Sequence, residues 1–185
     1  MTAGGAGGRA ASGTDPASGG TAGRCVLTGT VRVGLPPAEA FRLFTPVGER
    51  DWVDGWDPRF PVPAGDDTVP GTVFETTDHG RTTTWVVTGR EPGRAVAYAR
   101  VTPGDRAGTV SVVLEGADGG DGGDGGGTAA TVTYELTALT EAAREDLRIF
   151  AAGYPAFLRS WEEAIAGALG RPAPSAVPPA SLRLR

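Results

Sequence analysis

Few residues in this chain are equipped for chemistry, and their scarcity narrows what the chain can do. His79 is the only histidine and hence the obvious general base. It stands in Asp78-His79-Gly80, a turn signal, and reads as a solvated loop residue that touches a ligand only if the loop folds over a cavity mouth. Cys25, the only cysteine, opens a strand with no histidine near it in sequence and reads as inert. Glu49 either favours the N-terminal end of a short helix or points inward, where burial would raise its pKa and make it an acid. Arg100 shares strand parity with Val96 and Tyr98, which places a cation on an apolar face. Such a cation needs Glu49, Glu75 or an anionic ligand group as partner, unless it snorkels to water. Glu49 and Arg100 are therefore the two catalytic candidates. No nucleophile–base pair or phosphate-binding loop is visible. Asp118, Asp121 and Asp124 recur every three residues but lack the interleaved apolar position of a calcium repeat. Their Gly/Asp segment reads as a flexible hairpin insertion.

Aromatic side chains are the other resource. Trp52 and Trp56 lie four apart and either stack over one end of a cavity or fill core volume. Tyr98, Tyr134 and Tyr154 supply hydroxyls to an otherwise apolar lining. With Phe74, Trp85, Phe150 and Arg100 they complete the expected ligand-binding set.

These residues need a scaffold, and hydrophobic periodicity supplies one. From Thr140 to Gly170, apolar residues at Leu147, Phe150, Tyr154, Phe157, Trp161, Ile165 and Leu169 trace one stripe of a long helix. Thr140 is its N-cap and Gly170-Arg171-Pro172 its stop; Pro155 predicts a kink near Gly153-Tyr154 or a break. Cys25–Val33 alternates as a first strand. Pro37 opens a short helix through Phe44, and Thr45-Pro46 opens a second, to about Val53. A proline-bounded edge strand is expected at Arg59–Pro63, then five strands at 71–77, 81–88, 95–102, 109–115 and 128–139. The order predicts an α+β fold: a curved antiparallel sheet of about seven strands wrapped around a long C-terminal helix, with two short helices after strand 1.

The 185 residues suit one domain at 24–170, between a Gly/Ala/Ser/Thr-rich disordered leader (1–23) and a Pro/Ala/Ser-rich disordered tail (171–185). The leader lacks a secretory apolar run. The net charge of −5, with all basic residues arginine and scattered, argues against nucleic-acid binding. No stretch is long and apolar enough to span a membrane. One cysteine excludes an internal disulfide framework and fits the cytoplasm.

At Thr45-Pro46-x-Gly48-Glu49-x-x-Trp52-x-x-Gly55-Trp56-x-Pro58 the chain resembles a large bacterial group within the START, pollen-allergen and polyketide-cyclase superfamily, known as SRPBCC or helix-grip proteins. Tyr98–Gly104, Thr131–Tyr134 and Phe157-Leu158-x-x-Trp161-Glu162 support the resemblance, which covers about residues 25–169. It implies a sheet gripping a C-terminal helix around an apolar cavity. It implies function only loosely, since members carry lipids, sense hormones, cyclise polyketides or oxygenate substrates. The iron-dependent oxygenase branch needs two histidines and is excluded; a Rieske cluster is excluded likewise. The expected function is binding or transport of a hydrophobic or aromatic small molecule, with no cofactor or metal, by a monomer or weak homodimer. One alternative is a polyketide cyclase/aromatase-type enzyme. Another is a stress-response or interaction module with its cavity packed shut, and cavity volume separates that one from the rest.

Overall fold

A computed structural model describes residues 23–117 and 126–170. The proposed leader apart from Gly23, the proposed tail, and residues 118–125 of the Gly/Asp segment, with Asp118, Asp121 and Asp124, lie outside the described residues.

Alternation becomes strand wherever it was expected except at one site. The strands are β1 (Arg24–Val33), β2 (Val73–Asp78), β3 (Arg81–Glu91), β4 (Ala95–Thr102), β5 (Arg106–Gly116) and β6 (Thr128–Ala138). They form one antiparallel sheet in the order β1-β6-β5-β4-β3-β2. Among the described residues the sheet therefore has six strands rather than about seven. Around Arg59 the chain makes only a single bridge, to Glu75. Pro58, Pro61 and Pro63 have no amide hydrogen to donate, so the ladder cannot extend.

Side-chain parity places Phe74, Trp85, Val87, Val96, Tyr98, Val110, Val112, Leu114, Val132, Tyr134 and Leu136 in the core. Against this face lies α2 (Glu141–Leu169), packed mainly on β1 and β6. Thr140 caps it by accepting a hydrogen bond from Ala143 N at 3.2 Å. Leu147, Tyr154 and Ile165 are buried as the stripe requires, with Ala143 and Leu158 beside them. Pro155 does not break the helix. It lies on the exposed face, where water can satisfy the carbonyl one turn back that has lost its donor. On the outer face the ion pairs among the described residues are Arg144–Glu141 and Arg148–Glu145, each spanning about one turn. Glu162 instead accepts from Arg32 N at 2.7 Å, occupying an amide on the open edge of β1. At Gly29, which interrupts the apolar side of β1, α2 packs so closely that a Cβ would stand 2.4 Å from Leu158 Cδ1.

The segment between β1 and β2 positions much of the site. α1 (Pro37–Ala40) runs directly into a 3₁₀ turn at Phe41–Phe44, and a second 3₁₀ turn covers Gly48–Asp51. The capping signals at Thr45 are used: its hydroxyl accepts from Gly48 N at 3.1 Å and donates to Arg42 O at 3.2 Å. The helix expected there is only one turn long, since Gly48 and Gly55 both disfavour continuation. No helix among the described residues is long and apolar enough to cross a membrane.

Candidate functional site

A cavity of about 740 Å³ lies between the sheet, the Thr45–Trp56 segment and the C-terminal half of α2. A stage of aromatic rings forms one wall. Phe74 and Trp85, cross-strand partners on β2 and β3, stack with centroids 5.7 Å apart and planes 2° from parallel. Tyr98 meets both edge-on at 6.0 and 6.3 Å, and Trp56 closes over them at 6.4 and 5.8 Å. Tyr134, Phe157 and Trp161 form the opposite wall, with Val110 and Val112 as floor. The exposed lining residues Asp54, Gly55, Asp78, His79 and Arg81 mark the mouth.

Three buried or half-buried polar groups tie the Thr45–Trp56 segment down. Trp52 Nε1 donates to Leu43 O at 2.7 Å, Trp56 Nε1 to Pro46 O at 2.8 Å and Tyr98 OH to Phe44 O at 2.9 Å. Each uses a carbonyl that a regular helix would have satisfied itself.

The two catalytic candidates both reach the cavity. The Glu49 carboxyl makes no hydrogen bond or ion pair among the described residues, and Glu49 lines the cavity. Burial pushes its pKa up from the ordinary 4.5 to about 8. Arg100 lies with Cζ 4.6 Å from the Trp85 ring centroid, a cation–π contact. One Nη donates weakly to Thr102 Oγ1 at 3.3 Å, while the buried Nε has no partner. Among the described residues no carboxylate pairs with it: Glu75 is held by Arg59, and Asp105 by Arg106 and Arg81. Burial lowers the Arg100 pKa. The Tyr134 hydroxyl makes no hydrogen bond among the described residues. Burial raises its pKa; nearby Glu49 adds to the rise and Arg100 opposes it, so the hydroxyl senses both candidates.

Of the expected ligand-binding set, Trp56, Phe74, Trp85, Tyr98, Arg100 and Tyr134 line the cavity. Trp52, Phe150 and Tyr154 do not. Trp52 is packed between Phe44 and Trp161, at 6.4 and 5.1 Å, and is a strut for its own segment. Phe150 and Tyr154 lie behind Tyr134, at 5.6 and 6.0 Å. The Tyr154 hydroxyl is turned away to Val132 O at 2.9 Å, and burial pushes its pKa up to about 12. His79 stands exposed at the rim, and the Cys25 thiol is raised by burial. Sequence reasoning passed over Thr83 and Thr102, whose hydroxyls bond each other at 2.7 Å inside the mouth. Extending the parity of Trp85 and Arg100 by two residues would have found them. Phe157 and Trp161 were visible in the helix stripe but carried no sign that they faced open space.

No family model matches the chain, and no curated protein matches it. Solved structures do. Zhui aromatase/cyclase from Streptomyces sp. R1128 aligns with a TM-score of 0.56 at 15% identity, over 79% of this chain and 94% of that one. Protein MLL2253 from Mesorhizobium loti aligns at 0.54 and 17%, over 77% and 97%. Ara h 8.0201 aligns at 0.53 and 14%, over 78% and 99%. At these identities the likeness is one of fold. The chain has the helix-grip, SRPBCC-like fold, with six strands, a long C-terminal helix and a cavity between them.

Proposed function

We propose that this chain binds or carries a hydrophobic, ring-bearing small molecule in the cavity between sheet and helix. The observation that carries this reading is the cavity itself. Its volume of about 740 Å³ falls within the range of small-molecule sites, and stacked and edge-on aromatics wall it. A module with its core packed shut would leave no such space. Native mass spectrometry of freshly purified full-length protein, followed by solvent extraction, is expected to release an apolar compound. An apo mass, together with no binding of the neutral dye N-phenyl-1-naphthylamine, would defeat the reading.

A second reading, a cyclase/aromatase-type enzyme, is favoured by one feature: the unpartnered Glu49 carboxyl and the free Tyr134 hydroxyl share the cavity. A carboxyl that retains its proton near neutral pH can donate it to a carbonyl and recover it from an adjacent carbon, while the pocket holds the chain folded. On this reading Glu49→Gln protein extracts with an unconverted precursor, and wild type with its cyclised or dehydrated product. The same compound on both proteins argues for carriage alone.

A further inference from the structure

Among the described residues, the cation inside the cavity has no counter-ion. The acids around Arg100 are committed elsewhere: Asp105 to Arg106 and Arg81, Glu75 to Arg59. Glu49, on the segment facing the sheet, makes no ion pair with it, and desolvation favours its uncharged form. Of the guanidinium nitrogens only one Nη has a hydrogen bond, at 3.3 Å to a hydroxyl already engaged with Thr83. Nε is shielded from water and has no acceptor among the described residues. A desolvated, unpaired guanidinium is costly, and the cost falls most when an oxyanion accepts two of its N–H groups. The plane of Trp85 beneath it holds the guanidinium in place beside the aromatic wall.

We propose that the ligand is an anion: a flat, ring-bearing acid whose deprotonated oxygen pairs with Arg100 while its rings lie among Trp56, Trp85 and Tyr134. This rests on the reading that the cavity holds a small molecule, and it adds the charge and chemical class of that molecule. An ester, amide or unsubstituted hydrocarbon of the same shape would fill the space and leave the guanidinium without a counter-charge. The free Tyr134 hydroxyl supplies a second donor for the same oxygen.

A matched dye pair tests this on the full-length protein. 1-Anilinonaphthalene-8-sulfonate and N-phenyl-1-naphthylamine share a skeleton and differ by the sulfonate. Wild type is expected to bind the sulfonate about tenfold tighter or more, the scale of a charge-assisted hydrogen bond. Arg100→Met should abolish that preference, and Arg148→Ala on the outer face of α2 should leave both affinities and the preference intact. A displacement assay on wild type alone covers the case in which Arg100→Met does not fold. There, 1-naphthoate should displace the neutral dye at about tenfold lower concentration than 1-naphthamide. Equal affinities in wild type, or a preference that survives Arg100→Met, overturn the anion inference and leave the cavity reading standing. If neither dye binds, the cavity reading itself falls and this inference with it.

Discussion

Gly48→Ala is expected to destabilise the protein by about 3 kcal/mol, lowering the melting temperature by roughly 10 °C. Here the chain turns back on itself with no room to spare. A Cβ on Gly48 would stand 1.7 Å from Arg42 O and 2.8 Å from its carbonyl carbon. Both are backbone atoms and cannot swing aside like a side-chain tip. The neighbouring carbonyls are also held: Leu43 O by Trp52, Phe44 O by Tyr98 and Pro46 O by Trp56. Relief therefore means moving the whole segment, along with Glu49 and Trp56, so binding of the neutral dye should weaken too. Gly55→Ala is the control. Nothing lies within 4 Å of its Cβ, and only its φ of +72° resists, so about 1 kcal/mol is expected. Paired thermal melts decide the matter: equal losses for the two variants would refute the close-approach account of Gly48.

Glu49→Gln is expected to change how stability depends on pH. In the unfolded chain Glu49 loses its proton near 4.5, whereas the folded protein keeps it to about 8. Between those values the folded state binds more protons, so this residue's contribution falls as pH rises. Below 4.5 it costs nothing, and above 8 the full penalty is present and constant. The penalty is roughly 3 kcal/mol once contact with cavity water is discounted. Glutamine cannot ionise, so the variant should match wild type near pH 4 and exceed it by that amount near pH 9. The groups facing Glu49 do not blur this window. Tyr98 and Tyr134 both have pKa values raised above the ordinary 10.0, outside that range. Urea titrations of both proteins across the range supply the difference curve. A flat difference would mean that Glu49 is solvated and unsuited to acid chemistry in this cavity.

Much of the fold was legible because its causes are local. Thr140, the apolar stripe and Gly170 define α2 within its own thirty residues, and strand parity put Trp85, Tyr98, Val112 and Tyr134 inward. The errors arose where a local signal had no partner to complete it. Arg59–Pro63 read as a strand, yet its prolines allow only one bridge. Of the two readings of Pro155, the break fails, because a single lost donor on a wet face does not end a helix packed along its other side.

By itself, then, the sequence determined the elements, their order and which side chains turn inward, because periodicity, caps and turns act over a few residues. Only the tertiary structure decided which inward side chains meet open space. Trp52 and Trp56 are alike in sequence, but one is wedged between Phe44 and Trp161 while the other faces the cavity. The isolation of Glu49 and the missing counter-ion of Arg100 are likewise properties of distance between segments. Glu75 and Asp105 were available in composition, and the folded chain gives them to other arginines. Whether a buried charge is paired depends on what long-range packing brings within about 4 Å of it, which no local pattern records.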